Sequence, residues 1–179
     1  MKTRIEITLP PSIETISDAQ MHQDVFDALT NYVSCAHLIT AMDCLLNQDQ
    51  PFTQYPEIFT HHKLWAGIIS KATTQLWQTP NEVLLHVEMV VPPHLVTTPE
   101  AFEETIKKVF LEHAILHHQK DAALYVEKQQ EVSDEALSTW KSIAEHHQYW
   151  ADMLSRASVL TYTHLDSSHY SIKRKSNHL

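Results

Sequence analysis

Hydrophobic and polar positions follow a period of two in some segments of this chain. Residues 3–9 alternate strictly between polar and apolar side chains, and two prolines follow, so this segment predicts a half-buried strand. The short, β-branched segment 82–91 predicts a second strand. We expect Ile5–Leu9 to pair with part of Glu82–Val91. Two further candidate strands lie near the C-terminus, at 159–164 and 169–173.

Elsewhere the apolar residues recur at steps of three and four, which is typical of amphipathic helices. This pattern predicts helices over about 16–47, 58–77, 99–129 and 133–158. The first and second helices should form one antiparallel pair, and the third and fourth another. The predicted fold class is therefore mainly α (α+β), with a four-helix core and a few short β-strands in a single domain.

Domain organisation follows from length and composition. A chain of 179 residues with 43% hydrophobic content is the size of one ordinary domain with its own core. We recognise no internal repeat in it. We expect residues 1–172 to form the domain and residues 173–179, which begin with Lys-Arg-Lys, to form a flexible basic tail.

Composition excludes several function classes. The single glycine, Gly67, leaves no room for a glycine-rich nucleotide loop, so we expect no nucleotide cofactor. The formal net charge of -9 argues against a nucleic-acid partner. No apolar run is long enough for a signal peptide or a membrane span, which predicts a cytoplasmic protein without a membrane partner. Cys35 and Cys44 lie too far apart along one predicted helix for a disulfide.

Histidine carries the candidate chemistry, since the chain has 14 histidines and several fall where a helical bundle would place an apolar residue. At about 100° per residue, several titratable side chains fall on the apolar faces of the predicted helices. His62 is one of them. The predicted metal ligands are His61, His113, His117, His147 and Asp43.

A histidine pair four residues apart presents two ring nitrogens from adjacent turns, and side chains from facing helices can complete a metal site. The first hypothesis is therefore a metal-binding helical-bundle protein with a histidine-rich interior site that holds zinc or non-haem iron, with hydrolytic or oxygen chemistry undecided. The alternative is a non-enzymatic interaction module, such as an adaptor, chaperone-like protein or effector, that binds a protein partner or forms a homodimer. A third interpretation is a pH-sensitive core of neutral buried histidines.

Overall fold

A computed structural model of the protein describes residues 1–10, 18–46, 55–78, 82–130 and 134–163. Four strands form one antiparallel sheet in the order β2-β3-β1-β4. The strands are β1 (Lys2–Leu9), β2 (Thr73–Gln78), β3 (Val83–Val90) and β4 (Ser158–Thr163). The predicted pairing of β1 with β3 is confirmed, in a register that places Ile5 opposite Val87. The candidate strand at 159–164 corresponds to β4, whereas that at 169–173 lies outside the described residues.

The described residues also form four main helices, as predicted, and a short 3-10 helix at Pro93–Leu95. Helix α1 consists of Asp18–Val25, a π-helical segment Phe26–Asn31, and Tyr32–Leu46. Helix α2 is Tyr55–Ile69. Helix α3 consists of Pro99–Ile106, a π-helical segment Lys107–Glu112, and His113–Lys128. Helix α4 is Asp134–Ser155. Helix α1 packs against α2 and α3 packs against α4, so both predicted pairs exist.

The helix boundaries follow local chemistry. Thr98 caps α3, since its hydroxyl accepts a hydrogen bond from the Ala101 N–H at 3.2 Å and Pro99 occupies the first helical position. The second predicted helix was too long, because Leu76 and Trp77 belong to β2 and not to α2. Their spacing continues the helical period by chance, while pairing with β3 decides the local structure.

One face of the sheet carries the core. Alternate residues of β1 and β3 are fully buried, including Ile5, Ile7 and Leu85, and they pack with Trp65 and Phe102 from the helices. The other face bears polar pairs, among them Arg4 with Glu88 and His86 with Glu6. No helix in the described part of the chain is long and apolar enough to cross a membrane. Both cysteines are free thiols, as expected from their separation.

The element order shows an internal repeat that the sequence interpretation missed. The unit β1-α1-α2-β2 is followed by the unit β3-α3-α4-β4, and exchanging the two units leaves the sheet order unchanged apart from its direction. The first helix of each unit contains a π-helical segment. The halves also share a sequence pattern, HHxxWAxxxSxA, which starts at His61 and again at His146. The expectation of a chain without repeats was therefore wrong.

Candidate metal centre

Two histidine clusters lie between the helices in the described part of the chain, and each draws side chains from both repeat units. The first cluster comprises His37 from α1, His62 from α2 and His113 from α3. One ligand atom from each of these residues lies within 4.8 Å of the other two, so the first cluster can hold a metal ion. The second cluster comprises His118 from α3, His147 from α4 and Tyr32 from α1.

In the first cluster, His37 is buried and both of its ring nitrogens have partners. Its Nε2 lies 2.7 Å from the carbonyl oxygen of Val109, and its Nδ1 lies 2.7 Å from Nδ1 of His62. A carbonyl can only accept, so His37 carries its proton on Nε2 and donates it to Val109. The Nδ1 of His37 then accepts a hydrogen bond from His62. The bond to Val109 fixes the ring and leaves Nδ1 as the nitrogen available to a metal.

The Val109 carbonyl can take this bond because of the π-helical segment in α3. The N–H of His113 bonds to the Lys108 and Phe110 carbonyls, and it therefore passes over Val109, its usual α-helical acceptor. Short π-helical segments of this kind are frequent at functional sites. The irregularity in α3 thus supplies the acceptor that orients a side chain of α1.

His113 completes the first cluster by stacking on His37, with ring centroids 3.9 Å apart and planes 13° apart. The carbonyl of Ala36 accepts a hydrogen bond from the His113 ring, while His113 Nε2 is buried and has no hydrogen-bond partner. A buried nitrogen lone pair without a partner is costly, since it has lost water and gained nothing in return. A metal ion bound among the three rings would satisfy it.

Burial keeps these imidazoles neutral. Loss of solvation lowers the pKa of His37 to about 4, against an opposing effect of the Val109 hydrogen bond. Burial also lowers the pKa of His113 to about 3, and the neighbouring His37 and His117 add to the shift. The pKa of His62 is lowered for the same main reason. Neutral imidazole is the form that binds metal, so near pH 7 the first cluster is already in its ligand state.

Two of the predicted ligands lie at the rim of the first cluster. The ring centroid of His117 is 4.4 Å from that of His113, and its Nε2 lies 3.4 Å from the Thr40 hydroxyl. His61 is exposed, and its ring meets His62 edge-on at a centroid distance of 5.3 Å. His117 and His61 therefore border the first cluster but are not among its three converging rings.

The two remaining predicted ligands lie elsewhere. His147 belongs to the second cluster, where its Nδ1 is 2.9 Å from Nδ1 of His118. Asp43 is exposed, so its predicted position on the buried face of α1 was wrong; burial lowers the pKa of His117, and the charge of Asp43 only partly opposes that shift. The π-helical segment precedes Asp43 and inserts one extra residue, which turns every later position of α1 by about 100°.

The same rotation explains why His37 and His118 escaped the sequence interpretation. On an unbroken helix both would lie outside the apolar stripe, and one inserted residue brings each of them into it. The repeated HHxxWAxxxSxA pattern could have revealed the two clusters. It marks His62 and His147 as equivalent positions, and their hydrogen-bond partners are His37 and His118.

The second cluster reproduces the geometry of the first, with Tyr32 in the place of His113. His118 Nε2 donates to the Ala28 carbonyl at 2.8 Å, and Ala28 lies in the π-helical segment of α1. The Tyr32 N–H bonds to Asp27 and Leu29 and passes over Ala28. Tyr32 stacks on His118 with centroids 3.9 Å apart, in the position that His113 takes over His37.

Comparison with other proteins adds no family to this geometry. No protein-family model, no curated protein and no solved structure matches the chain.

Proposed function

We propose that this protein binds one divalent transition-metal ion, with His37, His62 and His113 as ligands. The observation that carries the proposal is the convergence of three imidazole nitrogens within 4.8 Å, where His37 and His113 are each anchored by a backbone carbonyl. Carbonyl partners of this kind orient histidine ligands in metal sites.

The donor set favours zinc over non-haem iron. Three neutral imidazoles are a known ligand set of catalytic zinc, whereas non-haem iron sites that activate oxygen use two histidines and a carboxylate. Three protein ligands leave a position for water, and zinc lowers the pKa of such a water to near 7. We therefore propose metal-assisted hydrolysis as the reaction class. His117, half-buried beside His113 and Thr40, is the nearest candidate to move a proton.

The test is the zinc content of untagged protein, measured by elemental analysis after zinc is supplied and the excess removed. We expect one zinc per chain in the wild type and in His147→Ala, and none in His62→Ala. His147→Ala is the matched control because it removes the equivalent histidine from the second cluster. A wild type that retains no zinc, or equal zinc in His62→Ala and wild type, would refute the proposal.

A second candidate function, as an interaction module, rests on a separate surface. Large apolar side chains on one face of the C-terminal part of α1 are exposed, with Met42 at 61% and Leu46 at 79%. The full set is Leu38, Ile39, Met42, Leu45 and Leu46. Contiguous exposed apolar patches mark interaction sites, so this face supports a homodimer or a protein partner.

Light scattering on a sizing column tests this second candidate. If α1 mediates self-association, the wild type will elute as a dimer and the double variant Met42→Glu/Leu46→Glu as a monomer with the same helical content. A wild-type monomer across the micromolar range would exclude the homodimer.

A further inference from the structure

The tandem repeat turns the two clusters into a comparison within one molecule. Each cluster has a histidine pair joined through its Nδ1 atoms, at 2.7 Å in the first and 2.9 Å in the second. Each has a histidine whose Nε2 is held by a carbonyl of a π-helical segment. Each has an aromatic ring stacked at a centroid distance of 3.9 Å. The stacked ring is the point at which the clusters differ.

In the first cluster the stacked ring is His113, which brings a ring nitrogen within 4.8 Å of a nitrogen of each of the other two rings and whose buried Nε2 has no hydrogen-bond partner. In the second cluster the stacked ring is Tyr32, whose hydroxyl lies 2.5 Å from Asp121 Oδ2. Because a carboxylate can only accept, the tyrosine hydroxyl is the donor. Tyr32 therefore commits its hydroxyl proton to Asp121 and brings no imidazole nitrogen to the histidine pair.

The environment of Tyr32 keeps that proton in place. Burial raises the pKa of the Tyr32 hydroxyl, and the hydrogen bond to Asp121 and the charge of Asp121 raise it further. A phenol must lose its proton to become a strong metal ligand. Among the described residues, no histidine, cysteine or carboxylate lies close enough to His118 and His147 to form a group of three ligands with them, and three protein ligands are what a catalytic zinc site uses.

We infer that positions 113 and 32, which correspond in the repeat, decide which cluster binds metal: His113 completes a site in the first cluster, and Tyr32 withholds one from the second. This inference rests on the proposed function, since it takes the first cluster as the metal site. It further assigns the second cluster to structure, with His118 holding α3 to the π-helical segment of α1.

The test is to give the second cluster the missing imidazole. Zinc per chain is measured for wild type, Tyr32→Phe and Tyr32→His, all untagged, with circular dichroism to confirm that each is folded. We expect one zinc in the wild type, one in Tyr32→Phe and two in Tyr32→His. Tyr32→Phe is the control because it removes the hydroxyl but adds no ligand. Combining Tyr32→His with His62→Ala should leave one zinc, now in the second cluster.

The outcomes separate this inference from the proposal on which it rests. One zinc in the wild type and still one in Tyr32→His would overturn the inference and leave the proposed function standing. Two zincs in the wild type would overturn it as well, because Tyr32 would then not withhold a site. A wild-type protein that binds no zinc would overturn both the inference and the proposed function. If Tyr32→His does not fold, the reciprocal change His113→Tyr decides, since it must abolish zinc binding by the folded protein.

Discussion

In the first cluster His37 donates to the Val109 carbonyl and accepts a hydrogen bond from His62, and in the second cluster His118 and His147 repeat this arrangement against Ala28. What the clusters have in common is the bond between a histidine and a π-helical carbonyl, which ties α1 to α3. What differs is the stacked ring. The histidine–carbonyl bond is therefore the structural feature, and the stacked ring is the position at which the chemistry of the two clusters differs.

The largest loss of stability should come from removing the histidine–carbonyl bond that the two clusters share. We expect His37→Ala and His118→Ala each to lower the unfolding free energy by about 2–4 kcal/mol, because each leaves a cavity and a buried carbonyl without its donor. Urea unfolding in the presence of a chelator measures this, with His146→Ala, an exposed neighbour, as the control. A loss below about 0.5 kcal/mol for His118→Ala would show that the second cluster is not structural.

The next largest effect should be on the stabilisation by zinc, which should depend on the first cluster and not on the second. Zinc at about 100 times its dissociation constant should raise the wild-type unfolding free energy by about 2.7 kcal/mol, since it binds only the folded chain. His113→Phe keeps a stacked ring but removes the nitrogen, so the zinc effect should vanish. His147→Ala should retain it. An equal zinc effect in His113→Phe would place the metal elsewhere.

Much of the fold could be predicted because hydrophobic periodicity reflects burial directly. The strand at Ile5 and Ile7 and the helix start at Thr98 were readable from pattern and capping chemistry alone. The error at Leu76 and Trp77 arose because a short apolar run fits both periods, and only pairing with a neighbouring strand decides between them.

The candidate site was only partly predictable, for a physical reason that one residue illustrates. An insertion within a helix leaves no mark in composition, yet it turns every later side chain by about 100°. His113 was identified as a candidate, whereas His37, which follows the π-helical segment of α1, was not. Local periodicity cannot locate a π-helical segment, because the hydrogen bond that stabilises it comes from another helix.

Lowering the pH should reduce the unfolding free energy, and the first cluster should contribute more to this loss because it contains more buried histidines. The pKa values of His37, His113 and His118 are lowered to about 4, 3 and 4 in the folded protein. Below pH 6.5 these histidines bind protons in the unfolded chain but not in the folded chain. The unfolding free energy therefore keeps its full value above pH 6.5 and falls as the pH drops toward 4. Each such histidine should cost about 1 kcal/mol per pH unit in that window.

The first cluster contributes two of these three groups, and His113→Phe should reduce the slope of unfolding free energy against pH by about 1 kcal/mol per pH unit below pH 6.5. Urea unfolding between pH 7.5 and 5, without metal, measures the slope. Stability that does not change over this range would contradict the burial of neutral histidines. A slope that His113→Phe leaves unchanged would show that His113 titrates normally.

The smallest effect tests whether the correspondence extends to the cluster rims. His61 and His146 are exposed, and each ring centroid lies 6.5 Å from that of the buried tryptophan of its half, Trp65 or Trp150. Because neither ring has a buried polar contact to lose, alanine at either position should change the unfolding free energy by less than about 0.5 kcal/mol. Zinc content should stay at one per chain in both variants. A loss of zinc in His61→Ala but not in His146→Ala would add His61 to the ligands and extend the difference between the halves beyond the stacked ring.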